Sequence, residues 1–137
     1  MALAGNKISG GNPKESRAMY DYYATNPKAV KMLLNEINLF ENCNTILEPC
    51  VGAGHIANAV KEFYDGILTI TAVDIVGRGF PNTIISDFLN WESNVKYDGI
   101  ITNPPYSLAK EFVEKGMSFL EDKKYMASLS LYRMQEH

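Results

Sequence analysis

The sequence predicts an α/β domain built on a doubly wound parallel sheet of about five strands. Short β-prone runs alternate with amphipathic helical runs through short connections, the pattern of consecutive βαβ units with helices on both sheet faces. The residues least expected of plain loops also stand at the ends of four successive strand runs: Glu48-Pro49, Asp74, Asp87-Phe88 and Asn103-Pro104-Pro105-Tyr106. Sheets of this kind bind ligands outside the carboxyl ends of their strands. The length, 137 residues, suits one domain with a core of its own. With 46% apolar and 21% charged residues, wholesale disorder and a coiled coil are excluded.

Each element has its own signal. Residues 1–16 are expected to be a flexible tail, opening on a Gly- and Asn-rich stretch without periodic apolar positions, and residues 17–137 the folded domain. Asn26-Pro27 reads as an N-cap followed by proline at the first helical position. Val30, Leu33, Leu34, Ile37 and Phe40 then predict a helix to about residue 40. Thr45–Glu48 is a strand stopped by Pro49, and the loop from Cys50 to Gly54 leads into a helix carrying Ile56, Ala57, Val60 and Phe63. Residues 67–74 form a second strand, 83–86 a third and 97–102 a fourth. Ser107 is expected to cap a helix whose inward face is Leu108, Phe112, Val113, Phe119 and Leu120, and residues 125–132 read as the last strand. Trp91 is expected to pack, His55 to sit in an exposed first helical turn, and Arg78 to be a solvated loop residue between two glycines.

The net charge of -3, with basic residues scattered, argues against a standalone nucleic-acid-binding module and leaves transient contact by an enzyme open. Two cysteines, Cys43 and Cys50, and two histidines, His55 and His137, lack metal-ligand spacing; no metal is expected, and the thiols are expected to be free in a reducing compartment. No apolar run approaches the ~20 residues of a membrane span, and no secretory pattern opens the chain. The expectation is a cytoplasmic protein with no membrane partner.

Glycines between a strand and a helix, here Gly52 and Gly54, let the backbone approach a ligand closely. Asp74 follows Gly52 by 22 residues, at the next strand's end, where an acid can accept two ribose hydroxyls. The pair points to an adenosine-containing cofactor and does not separate a nicotinamide dinucleotide from S-adenosylmethionine. Asn103-Pro104-Pro105-Tyr106 makes that separation. Two acceptors, the Asn103 side-chain oxygen and the Pro104 carbonyl, can localise the lone pair of an exocyclic amino group that attacks a methyl. The tandem prolines keep the backbone extended and free of donors. Tyr106 offers a face for stacking a planar base.

With those residues in view, the chain resembles a known family. ILEPCVGAGHIANAV, TAVDI, DF and NPPY, in that order, are similar to motifs I to IV of the S-adenosylmethionine-dependent N6-adenine DNA methyltransferases, and YYATNP resembles their motif X. The similarity spans roughly residues 20–120, in the gamma motif order of compact phage and restriction-modification enzymes. It implies a Rossmann-like class I methyltransferase fold and S-adenosylmethionine as cofactor. Tyr23, Thr25 and Pro27 would border the methionine moiety, and Glu48, Pro49, Gly52 and Gly54 would line its pocket. Asp74 would hold the ribose, Ile75 would touch the adenine, and Asp87 and Phe88 would bind its amino edge and ring. Asn103, Pro104, Pro105 and Tyr106 would hold a target adenine flipped out of transiently bound DNA. The cytoplasm would be that of a bacterial cell or a phage-infected host.

The family's sheet has seven strands and this chain reaches the fifth, so the resemblance implies C-terminal truncation. A second polypeptide or a dimer partner over the open sheet edge is a possible consequence. Two other readings stand beside the leading one. One is an N-methyltransferase acting on protein glutamine or RNA guanine; the other is a non-catalytic remnant or a subunit needing a partner.

Overall fold

The computed structural model describes residues 25–37 and 40–128, with Ile37 and residues 122–128 as backbone alone. The predicted tail and Tyr23 lie outside the described residues. The central strand, β1 (Thr45–Glu48), is apolar at Ile46 and Leu47, which point to opposite sheet faces and are both fully buried. It pairs in parallel with β2 (Thr69–Asp74) on one side and β4 (Tyr97–Thr102) on the other, Leu47 facing Thr71 and Ile100. A two-residue β3 (Ile84–Ile85) and the longer β5 (Leu120–Ser128) complete a five-stranded, all-parallel sheet in the order β3-β2-β1-β4-β5. Chain order reverses on either side of β1, which makes the end of that strand the switch point of the sheet.

Helices α1 (Pro27–Ile37) and α2 (His55–Phe63) cover one face. Val30, Leu33 and Leu34 of α1 pack with Ile56, Ala59 and Val60 of α2 against Ile46 and Ile101. The Asn26 carboxamide oxygen accepts the Lys28 N–H at 2.9 Å, which caps α1 and leaves Pro27 where a missing donor is harmless. Helix α3 (Ala109–Met117) covers the other face, with Phe112 packed on Leu47, Ile100 and Phe88. Trp91 joins this second core, its ring centroid 5.1 Å from that of Phe119.

Several boundaries differ from those predicted. Helix α1 is described to Ile37, and Phe40 sits in a turn yet is fully buried, so its helical spacing reflects core packing. Ile67 stays outside β2 and is 74% exposed, because pairing with β1 begins at Thr69. Of residues 83–86, only Ile84 and Ile85 pair as a strand. Ser107 lies inside a 3-10 turn (Tyr106–Leu108) and does not cap α3, whose start carries no side-chain cap. Helix α3 ends at Met117, ahead of Phe119 and Leu120; the Phe119 carbonyl accepts from Tyr97 N–H at 2.7 Å, which pulls that segment into β5. β5 therefore opens at Leu120, although its regular pairing resumes only at Tyr125, opposite Gly99.

The opposite end of the sheet is clipped by Asp98, whose carboxylate accepts the N–H groups of Asn44 and Thr45 at 2.9 and 3.2 Å. The Asp98 N–H donates in return to the Thr45 hydroxyl at 3.1 Å. This exchange sets the register of β1 against β4, and so the relative height of the strand ends that carry the polar residues.

Gly99 leaves no room for a side chain in the core. A Cβ there would stand 2.7 Å from the Phe40 ring and 2.9 Å from Ile46 Cδ1, both side chains fully buried. Gly99→Ala is expected to destabilise the fold by about 1–3 kcal/mol through overpacking. In chemical denaturation, adding Phe40→Leu should recover part of that loss; a midpoint unchanged by the glycine substitution would contradict the packing.

Candidate functional site

The polar strand ends converge because β1, β2 and β4 are neighbours and run the same way. Pro49 stops β1, and the loop behind it folds back on β2: Val51 N–H donates to the Val73 carbonyl at 3.0 Å, and Gly52 N–H to Asp74 Oδ2 at 2.7 Å. Both glycines have left-handed backbones, Gly52 at φ 58° and Gly54 at φ 97°. A Cβ on Gly54 would also fall 2.2 Å from Cδ1 of Phe80, whose buried ring lies against the loop.

The loop, the strand ends and the start of α2 enclose a cleft. Of the residues singled out from the sequence, Thr25, Glu48, Gly52, Asp74, Asn103 and Pro105 line it. The Asn103 amide donates to the Thr25 hydroxyl at 3.1 Å, linking the segment before α1 to the end of β4. Pro49, Gly54 and Pro104 are buried beside the cleft without lining it. Tyr106 opens the 3-10 turn after the prolines and is 71% exposed. Pro27 is exposed at the first turn of α1, and Ile75 is half-buried; neither lines the cleft.

Asp87 and Phe88 are not brought to the cleft. The Asp87 carboxylate accepts from Leu89 N–H at 3.1 Å and from the Asn90 amide at 2.8 Å, capping the short turn Phe88–Asn90. Phe88 is 2% exposed and stacks among Trp91, Phe112 and Phe119. Sequence reading missed His55 and Arg78, which both line the cleft. The signal for Arg78 is its place in the loop directly after Asp74, which by itself does not distinguish it from a solvated loop arginine.

Two acids in one cleft behave differently. Asp74 is buried and engaged, accepting from Gly52 and, at 3.3 Å, from Val76 N–H, and a carboxylate has lone pairs beyond those two bonds. Glu48 is fully buried, and neither oxygen has a hydrogen-bond partner among the described residues. Burial, and then the nearby Asp74 carboxylate, push its pKa well above the usual carboxylate range. The Ala57 N–H pulls the other way without reaching hydrogen-bond geometry. Burial, Asp74 and Glu48 also raise the Cys50 thiol, against the opposing pull of Arg78, so Cys50 stays protonated and is no nucleophile.

Sheet order, glycine loop and switch-point cleft together define a class: the Rossmann-like fold of the class I S-adenosylmethionine methyltransferases. No protein-family model matches the chain. Over 88 residues it is 33% identical to the Type II methyltransferase M.CvrRI of Paramecium bursaria Chlorella virus XZ-6E, a match covering 58% of this chain and 23% of that protein. The chain thus corresponds to about a quarter of the length of that relative. A SAM-dependent O-methyltransferase from Thermotoga maritima superposes with a TM-score of 0.59 at 14% identity, over 89% of this chain and 54% of its own. TrmN from Thermus thermophilus gives 0.57 at 15% identity, over 88% and 43%. The plantazolicin methyltransferase BpumL, solved with a desmethylPZN analog and SAH, gives 0.56 at 18%, over 73% and 44%. At these identities the likeness is one of fold.

The residues present fit S-adenosylmethionine. Glu48 is a buried acceptor with no donor among the described residues, which the ammonium of the amino-acid end would satisfy, and Asp74 has acceptor capacity left for hydroxyls.

Two expectations follow from this geometry. Gly54→Ala should cost about 1–3 kcal/mol by combining a left-handed backbone with a clash, and Phe80→Ala should relieve only the clash component. Glu48 has a raised folded-state pKa, so its stabilising protonated form is fully present below the unfolded value near 4.5 and is lost as pH rises through the folded value. Glu48→Gln mimics the protonated form. Without ligand, its stability relative to wild type should grow with pH from the unfolded value near 4.5 up to the folded value, by at most about 1.4 kcal/mol per unit, and level off above it. Denaturation curves at several pH values read the difference directly; a constant difference would mean that Glu48 is ionised throughout.

Proposed function

We propose that this chain carries the catalytic side of an S-adenosylmethionine-dependent methyltransferase whose acceptor is the N6 amino group of adenine in DNA. One observation carries the reading. Asn103 and Pro105 line the same cleft as Glu48 and Asp74, and Tyr106, next along the chain, is 71% exposed. In this reading the cleft seats the cofactor, and Tyr106, one residue beyond its lining, offers the aromatic platform for a planar base. Similarity to a Type II methyltransferase supports the same reading.

When bound, S-adenosylmethionine supplies an electrophilic methyl group. The chain's own residues position what meets it. Glu48 accepts the ammonium, and Asp74 accepts the ribose hydroxyls while holding the loop through Gly52. The bond from the Asn103 amide to Thr25 orients the carboxamide, whose oxygen then accepts a hydrogen from the target amino group. The Pro104 carbonyl accepts the other, which localises the amino lone pair toward the methyl. Pro104 and Pro105 lack N–H groups, so neither competes as a donor. Tyr106 stacks on the base once it leaves the duplex, with DNA as a transient partner. The step needs alignment more than a strong base.

Tritiated methyl transfer to unmethylated DNA, RNA and protein in parallel tests the acceptor. Label is expected in DNA adenine; label confined to RNA or protein would reject the DNA reading and keep the cofactor. Asn103→Ala and Tyr106→Ala should each lower transfer roughly a hundredfold or more while S-adenosylhomocysteine binding stays nearly unchanged. Asp74→Ala should weaken that binding roughly ten- to a hundredfold, as loss of charge-assisted hydrogen bonds implies. Unchanged affinity by calorimetry would remove Asp74 from the site.

A further inference from the structure

We propose that Glu48 is a neutral carboxylic acid in the free protein and loses its proton to solvent when the cleft takes up a ligand bearing an ammonium group. Cofactor binding is thereby coupled to release of one proton; this rests on the cofactor reading above.

The argument begins with what surrounds the carboxyl. Glu48 is fully buried at the end of the central strand, and both oxygens are without partners among the described residues. An ionised carboxylate with no donor is among the costliest groups to bury. Among the described residues, the charged or titratable groups facing it across the cleft are Asp74 from β2, Cys50 from the following loop, His55 from α2 and Arg78 from the loop after β2. The β4 side contributes Asn103, which carries no charge. Asp74 is a like charge held in place by two backbone N–H groups. Arg78 favours the charged form of Cys50. Among the described residues only the Ala57 N–H favours a charge on Glu48, and burial and Asp74 outweigh it, so in the free protein its O–H bond stays intact.

A ligand ammonium reverses the balance by bringing a positive charge and N–H donors to the two orphaned oxygens. The O–H bond breaks, the proton passes to buffer, and the new carboxylate pairs with the ammonium. Because binding releases a proton, affinity rises with pH until it passes the pKa of Glu48 in the free protein, by up to tenfold per unit. A nucleoside lacking the amino-acid end leaves Glu48 protonated and shows no such slope.

The test is isothermal titration at pH 7 in two buffers of different ionisation enthalpy. S-adenosylhomocysteine should release close to one proton on binding the wild-type chain, and 5′-methylthioadenosine none. Glu48→Gln should bind S-adenosylhomocysteine without release. Binding of S-adenosylhomocysteine with no buffer-dependent heat overturns the proposal, as does undiminished release from the variant. Infrared difference spectra cover the case in which the variant does not fold. The free wild-type chain should show a protonated-carboxyl stretch that disappears on adding S-adenosylhomocysteine, and absence of that band also overturns the proposal. If S-adenosylhomocysteine does not bind wild type at all, the cofactor reading falls, and the proton linkage falls with it.

Discussion

A hydrogen bond of 2.7 Å from Gly52 N–H to the Asp74 carboxylate is the contact around which the functional end of this domain is organised. It joins the loop leaving the central strand to the end of its neighbour, across 22 residues of sequence. With that loop tied down, Gly52 and Gly54 hold their left-handed turns, Phe80 closes against Gly54, and α2 starts at His55 over the sheet. Asp74 thus has two duties: it is structural toward the loop and keeps acceptor capacity toward the cleft. A carboxylate suits both because its two oxygens can serve different neighbours at once.

Glu48 obeys a different logic. The positions before it on β1 obey ordinary core rules, Ile46 packing under α1 and α2 and Leu47 under α3. One residue later the same strand buries an acid completely, with no hydrogen-bond partner among the described residues. Such a departure from local consistency is destabilising by itself and is characteristic of sites kept for function. The core makes it tolerable: two apolar clusters clamp the strand from both faces, and the Asp98 clip locks its register at the far end. The stability of the sheet offsets the cost at its rim.

Much of this was legible in the residues. Strand β4 begins and ends where its apolar run does, because Tyr97 and Ile100 to Thr102 are buried in the middle of the sheet and Asn103-Pro104 cannot continue it. The Asn26-Pro27 cap and the glycine loop were equally plain, since each depends on a few adjacent residues. Reading was poorest where distant partners decide. Phe119 and Leu120 have helical spacing from Phe112, yet Tyr97 draws Phe119 toward the sheet. Phe88 follows an acid at a strand end, as a ligand-binding residue should, but three other aromatic rings claim it. Arg78 and His55 were discounted as surface residues because nothing local reveals that a cleft lies beside them.

The sequence by itself determined the alternation of strands and helices, the parallel architecture and the chemical character of each strand end. These follow from periodicity, turn chemistry and residue type, which act over a few positions. Only the tertiary structure decided which strand ends meet, that Asp87 caps a turn while Asp74 faces a cleft, and that Glu48 has no hydrogen-bond partner among the described residues. Those outcomes depend on burial and on pairs as far apart as Thr25 and Asn103, separated by 78 residues. No local pattern encodes such a distance. A carboxylate reads the same in the chain whether it is solvated, hydrogen-bonded or orphaned; its surroundings set its charge.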